Sequence, residues 1–160
     1  MPGTVVIRPC EARDEAVWAK LNLDFMGETM ATSAYWSTLG MPSVPEMTRR
    51  FREAMAAPGV ILLFLVESDG EPAGFLNSWT VYSVWSGGMA LTVDDLYVAP
   101  EYRRLGVGEK AMRRLVEYAA ERGFRRVQLH AETDNVRAHG LYRKLGFAEE
   151  GILFFMKHIE

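Results

Sequence analysis

Between Val60 and Val98 the chain reads as three strands joined by two tight reversals. Val60 to Glu67 is an apolar run closed by a glutamate, suited to a strand buried on both faces. Ser68-Asp69-Gly70-Glu71 follows, and Asp-Gly is a hairpin signal because both turn positions need positive φ. Ala73 to Tyr82 is the return strand, Gly87-Gly88 marks a second reversal, and Ala90 to Val98 is the next strand, ended by Pro100. Reversals this short join antiparallel neighbours, so the centre of the chain has to build a sheet. Regular pleating places Thr92, Asp94, Leu96 and Val98 on one face of the third strand, and Val93, Asp95 and Tyr97 on the other.

The flanks supply helices and further strands. Thr4 to Arg8 predicts a first strand, and Glu11 to Met26 a helix with Val17, Leu21 and Phe25 in register. Gly27 to Met41 has no clean period and reads as a loop. Ser43-x-x-Glu46 is a capping box with Pro45 in the first turn. The helix it opens aligns Met47, Phe51 and Met55 and stops near Pro58-Gly59. Gly106 to Arg122 is amphipathic, with Val107, Ala111, Leu115 and Ala119 as its stripe and Gly123 beyond its end. Arg126 to Ala131 is a strand. Asp134 or Asn135 caps a last helix that turns Ala138, Leu141, Tyr142 and Leu145 inward and ends at Gly146. Phe147 to Ile159 predicts one or two closing strands. The order implies an α/β chain: one mixed sheet with helices packed on it, in a single domain spanning residues 1–160.

Composition narrows the function. The single Cys10 excludes a disulfide framework and a multi-cysteine zinc site, and the three histidines lack ligand spacing, so no metal is expected. The longest apolar run, Val60 to Val66, is too short to cross a bilayer, and no basic-then-apolar leader opens the sequence. The expectation is a cytoplasmic protein with no membrane partner. The net charge of -3 argues against a nucleic-acid partner. Its distribution is uneven: residues 1–102 carry 6 basic and 13 acidic side chains, and residues 103–160 carry 12 and 8. Chance and two surfaces with different clients both account for that split.

The junction Tyr97-Val98-Ala99-Pro100-Glu101-Tyr102-Arg103-Arg104-Leu105-Gly106-Val107-Gly108-Glu109-Lys110 carries the strongest chemical signal. A strand runs into a loop and then into a glycine-bearing helix start. First-turn N–H groups have no helical partner, and with the helix dipole they favour an anion. Arg103, Arg104 and Lys110 add positive charge, so a phosphate or pyrophosphate is the natural guest. The pattern lacks the Ser/Thr of a P-loop and the third glycine of a dinucleotide turn. Glycines used only for tight packing are the alternative.

Arg103-x-x-Gly106-x-Gly108 resembles the Arg/Gln-x-x-Gly-x-Gly/Ala signature of the GNAT superfamily of N-acetyltransferases, and Asn135 to Phe147 (NVRAHGLYRKLGF) resembles the second half of that family's core. The resemblance implies a central, mostly antiparallel mixed sheet of six to seven strands flanked by about four helices. It also implies an acetyl-CoA site. Backbone N–H groups of Arg104, Leu105, Gly106, Val107, Gly108 and Glu109 would hold the pyrophosphate, with Arg103 and Lys110 beside them. The preceding strand would part from its neighbour at a bulge. Main-chain groups of Leu96 and Val98, flanking Tyr97, would bond the pantetheine arm, with Asn135 and Ala138 bordering it. Tyr142 matches the tyrosine that protonates the departing thiolate. It equally suits the apolar face of its helix.

Val93-Asp94-Asp95-Leu96-Tyr97-Val98 resembles the Leu-Glu-Asp-Leu/Phe-Tyr/Phe-Val segment of relatives that acetylate diamines and polyamines. Asp94 stands at the glutamate's position, one methylene shorter, so a water relay to the amine is expected over direct contact. A solvated acidic pair at a sheet edge is the alternative. Trp79 to Gly88 resembles the aromatic hairpin of the same branch, which makes Tyr82 and Trp85 candidates to face a cationic amine. Ordinary hairpin packing is the competing account. Glu28, Tyr35 and Trp36 lie in the early loop that covers the acceptor in this branch, and Asp95 joins the candidate acceptor residues. The expected reaction is direct acetyl transfer from acetyl-CoA to a primary amine, foremost a small cationic one. A protein or peptide amine, or a non-catalytic acyl-CoA-sensing module, are the alternatives. By analogy with similar proteins, a homodimer is possible.

Overall fold

The Asp69-Gly70 turn closes with both residues at positive φ (52° and 84°), the type I′ geometry anticipated for an Asp-Gly hairpin. It folds Ile61–Ser68 (β2) against Glu71–Ser83 (β3). Gly88–Val98 (β4) then pairs antiparallel with β3, and Val5–Pro9 (β1) pairs antiparallel with β2. Arg126–Leu129 (β5) lies parallel to β4. The sheet order is therefore β1-β2-β3-β4-β5. A parallel pair needs a crossover, and Val107–Glu121 (α3) supplies it. The structure, a computed structural model, describes residues 3–159.

Glu15–Thr32 (α1) and Val44–Met55 (α2) share one face of the sheet. Trp18, Leu21, Met47 and Phe51 from the helices pack with Leu63, Leu65, Phe75 and Tyr97 from the strands. Trp18 and Phe51 meet at 5.4 Å between ring centroids. Phe64 points the other way and meets Tyr118 of α3 edge to face at 4.9 Å. The predicted stripe of α3, Val107, Ala111, Leu115 and Ala119, is buried together with Met112. Ser43 caps α2 as its pattern requires, its hydroxyl accepting the Glu46 N–H at 3.3 Å. Gly123 and Gly146 take positive φ (74° and 83°) just past their helices.

Two expectations need correction. The loop anticipated from Gly27 begins late, because α1 continues to Thr32. Nothing in Glu28-Thr29-Met30-Ala31 breaks a helix, and the Thr29 and Thr32 hydroxyls fold back onto the Phe25 and Glu28 carbonyls. Among the described residues the sheet has five strands, not six to seven. Among the described residues, Phe147 to Ile159 forms no strand. The described residues divide into two compact units, Met1–His130 and Ala131–Glu160. The second holds one helix, Val136–Lys144 (α4), and offers no other extended segment with which this stretch can share a ladder. Leu153 and Phe155 are correspondingly 82% and 85% exposed. Among the described residues, no helix is long and apolar enough to cross a membrane.

At the start of the sheet Arg8 grips Asp14 through two bonds of 2.7 and 2.9 Å and Glu67 through one of 2.8 Å. Asp14 is buried, and the Arg8 guanidinium holds its carboxyl below the usual carboxylate range. That contribution is complete above the unfolded carboxylate pKa and is lost as pH falls through the lower folded value. Asp14→Asn is expected to cost about 2 kcal/mol at pH 7, since Arg8 is partly solvated and its pair is worth less than a fully buried one. In urea melts the gap from the wild type should close as pH drops below the ordinary carboxylate range.

Gly74 lies close against the backbone of β4. A Cβ there would stand 2.0 Å from the Tyr97 carbonyl oxygen. Gly74→Ala should destabilise the fold by roughly 1–3 kcal/mol, the usual cost of overpacking, measured by urea or thermal unfolding.

Candidate functional site

Pairing between β4 and β5 covers only Ala90 to Val93 against Arg126 to Leu129. β5 ends at Leu129, so beyond Val93 its pairing with β4 stops. At the same place the β3–β4 register slips: Asn77 faces Asp95, whereas Ser78 faces Val93. Asp94 is therefore the extra residue of a bulge. The slip overturns the alternation expected of a regular strand. Directly opposed residues share a face, so Thr92, Asp95 and Tyr97 lie with Trp79, Asn77 and Phe75, while Val93 and Leu96 lie with Ser78 and Leu76.

The bulge has a consequence for main-chain groups. The Ala99 N–H donates to the Ala73 carbonyl at 2.9 Å, so odd-numbered residues at this end of β4 address β3. Main-chain direction alternates along a strand, which aims the groups of Leu96 and Val98 at the opposite edge, the one β5 has left. That edge leads within a few residues into the start of α3. A short 3-10 turn, Pro100–Tyr102, is followed by Arg104 and Gly106 at positive φ (64° and 76°). The helix then begins on the glycine N-cap, with Val107 buried beneath it and the Val98 side chain 3.6 Å from where a Gly108 Cβ would stand. Open strand edge and first-turn N–H groups thus lie at the two ends of one short loop.

The basic residues of the junction are not equivalent. Arg104 and Leu105 are exposed. Lys110 donates to the Gly3 carbonyl at 2.9 Å. Arg103 folds back: its Nε donates to the Val98 carbonyl at 2.8 Å, and its Nη2 reaches both Glu28 carboxylate oxygens at 3.0 and 2.7 Å. The Tyr97 hydroxyl donates to the same Glu28 Oε1 at 2.9 Å. Burial, reinforced by that bond, pushes the Tyr97 hydroxyl up to about 12, so it stays a donor. Glu28, expected in an acceptor-covering loop, is instead on α1 and engaged by Arg103 of the loop between β4 and α3. Tyr35 and Trp36 stack edge to face at 5.0 Å in the segment after α1.

Asp94 is exposed, whereas Asp95 is half-buried and joins a polar cluster that the sequence reading missed. The Trp18 indole N–H donates to Asn77 Oδ1 at 3.0 Å. Asn77 Nδ2 then donates to Asp95 Oδ2 at 3.0 Å and to Asn22 Oδ1 at 2.9 Å. Asn22 returns a bond to the Trp18 carbonyl at 2.9 Å. Indole nitrogen is donor only, so it dictates which way the Asn77 amide faces. Burial pushes the Asp95 carboxyl up to about 6, opposed by the Asn77 bond and aided by Asp94. A signal existed in the sequence: Asn77 interrupts an apolar strand, and a buried amide demands partners.

Tyr82 and Trp85 stand apart from this centre. Tyr82 pairs with Met89, six positions along β4 from Asp95, or roughly 20 Å at strand rise. They are 63% and 98% exposed. Within the second unit, the Asn135 side chain caps α4 by accepting the Ala138 N–H at 3.2 Å. The Tyr142 ring lies 5.9 Å from that of Phe147, and burial raises its hydroxyl pKa.

Comparison with known proteins places this geometry in a family. Residues 29–147 match the acetyltransferase (GNAT) family. Over 87 residues the chain is 38% identical to a streptothricin acetyltransferase of Streptomyces lavendulae, covering 54% of this chain and 44% of that one. It is 33% identical over 87 residues to a thialysine N-epsilon-acetyltransferase of Bos taurus, covering 51% of each. The chain thus spans about half the length of the curated relatives it matches. An aminoglycoside acetyltransferase from an uncultured soil metagenomic sample, solved with sisomicin, superposes with a TM-score of 0.75 at 18% identity, covering 98% of this chain and 97% of that one. An aminoglycoside N-acetyltransferase solved with CoA gives 0.75 at 18%, covering 99% and 98%. At that identity the likeness to the solved structures concerns the fold alone. The chain belongs to the acetyltransferase (GNAT) family.

Proposed function

We propose that this chain transfers the acetyl group of acetyl-CoA to the primary amine of a small cationic acceptor. One observation carries the reading: the edge of β4 left unpaired past the end of β5 leads through one short loop into the N-terminus of α3. The Leu96 main-chain groups and the Val98 N–H would offer ladder-like bonds to the pantetheine arm, the Val98 carbonyl being held by Arg103. The N–H groups from Arg104 to Glu109, with the helix dipole, would hold the pyrophosphate. Asn135 and Ala138 would border the arm at the start of α4.

Acetyl-CoA supplies the acetyl group as a thioester. The chain's residues handle protons and orientation. An alkyl ammonium has an ordinary pKa of about 10.4, so near neutral pH it must lose a proton before its nitrogen can attack. Asp94, exposed on the bulge, would accept that proton through water. Asp95, half-buried and without a cation among its described bonds, would pair with the acceptor's charge. The amine nitrogen forms the new bond to the carbonyl carbon, the carbon–sulfur bond breaks, Tyr142 would give its hydroxyl proton to the departing thiolate, and the proton that nitrogen sheds on becoming the amide would return to the Tyr142 oxygen through water. Relatives named for streptothricin and thialysine support a small acceptor, while one named for an alanine of ribosomal protein bS18 supports a peptide amine, so the choice of a small cation rests on Asp95.

The direct test is release of free CoA thiol across a panel of diamines, polyamines, amino acids and peptides. Turnover of small amines supports the reading, and turnover of peptides alone overturns the acceptor class. Tyr142→Phe should lower kcat by about 10²-fold or more with acetyl-CoA affinity unchanged. Asp95 must be ionised to hold an ammonium, so kcat/KM should rise with pH through about 6. Asp95→Asn should lower kcat/KM and remove that limb of the profile.

A further inference from the structure

The donor-side loop is held from outside by a residue of α1. Arg103 immediately precedes Arg104, which sits at a φ of 64° without being a glycine. Such a conformation persists only where its surroundings over-determine it. Arg103 supplies the constraint. Its Nε bond to the Val98 carbonyl closes the loop across five residues, and its guanidinium lies 5.4 Å over the Tyr97 ring. Glu28 completes the grip: Oε1 accepts from both the Tyr97 hydroxyl and Arg103, and Oε2 accepts from Arg103 alone. One carboxylate on α1 thereby ties together the bared end of β4 and the residue that launches the anion-binding turn.

We infer that Glu28 is a positioning residue for the acyl donor, acting through Arg103, and not a contact for the acceptor. The inference rests on the reading of the α3 N-terminus as the acetyl-CoA seat. Both Glu28 oxygens already receive charged donors, so an acceptor ammonium would have to displace Arg103 to reach them. Loss of the carboxylate frees the guanidinium, relaxes the turn at Arg104 and lowers the fraction of chains whose N–H groups converge. Apparent affinity falls by that same fraction.

The experiment measures acetyl-CoA dissociation constants on the full chain by titration calorimetry. Glu28→Ala should weaken binding roughly three- to tenfold, the size of a modest loss of the competent population. Glu28→Gln keeps an acceptor oxygen and should lose less. Glu15→Gln breaks a comparable bidentate pair with Arg52, also on α1 but away from the loop, and should leave affinity within about twofold. Thermal melts of the variants separate a loosened fold from a loosened loop. If Glu28→Ala binds acetyl-CoA like the wild type, the positioning role is wrong. If it does so while raising the KM of an acceptor, Glu28 is an acceptor contact after all. A wild-type chain that binds no acetyl-CoA overturns the cofactor reading and this inference with it.

Discussion

The site depends on the slip of one residue in β4. Asp94 is extruded from the β3–β4 ladder just where β5 ends and its pairing with β4 stops, at Val93 and Leu129. A longer β5 would have spent the Leu96 and Val98 main-chain groups on the sheet's own ladder. As it is, the Leu96 main-chain groups and the Val98 N–H stay outside the ladder, the Val98 carbonyl accepts from Arg103, and the strand stays anchored through β3. It also re-aims side chains: Asp95 and Tyr97 turn to the α1 face, where Asn77 and Glu28 meet them.

Two polar clusters hold this opened edge in shape from the α1 side. Trp18, Asn22 and Asn77 orient Asp95 by a chain of neutral hydrogen bonds. Glu28 and Arg103 brace the end of the strand by charge. The first cluster leaves an anion without a countercharge among its described bonds, and the second neutralises one. On the proposed reading, that contrast divides the labour on this face: Asp95 would attract a cation, while Glu28 would be committed to the fold of the loop. Gly74 lets β3 come close enough to keep the far side of β4 tightly paired where the near side is open.

Much of this was legible in the residues. The Asp69-Gly70 hairpin, the Ser43 cap, the stripe of α3 and the glycine-bearing junction depend on local backbone chemistry, and each formed where its pattern lay. The bulge was expected only through the family resemblance, because alternation in Val93-Asp94-Asp95-Leu96 gives no sign of which residue is extra. Arg103 was grouped with its basic neighbours because charge in a sequence carries no direction. Its pairing with a residue 75 positions away is a tertiary fact. Glu28 was assigned to a loop because aperiodic Thr- and aromatic-rich segments resemble loops even where nothing in them breaks a helix. The closing strands were read from apolar content alone, and strand formation needs a partner that composition cannot supply.

The central claim is that the bared edge of β4 and the first turn of α3 form one seat for acetyl-CoA. Backbone amide chemical shifts in an isotope-labelled chain test it most directly, recorded with and without CoA. The account predicts that the largest changes cluster at Leu96, Val98 and Arg104 to Glu109, with the β3–β4 hairpin tip near Trp85 unmoved. Binding whose shifts fall elsewhere and leave these amides unchanged would contradict it.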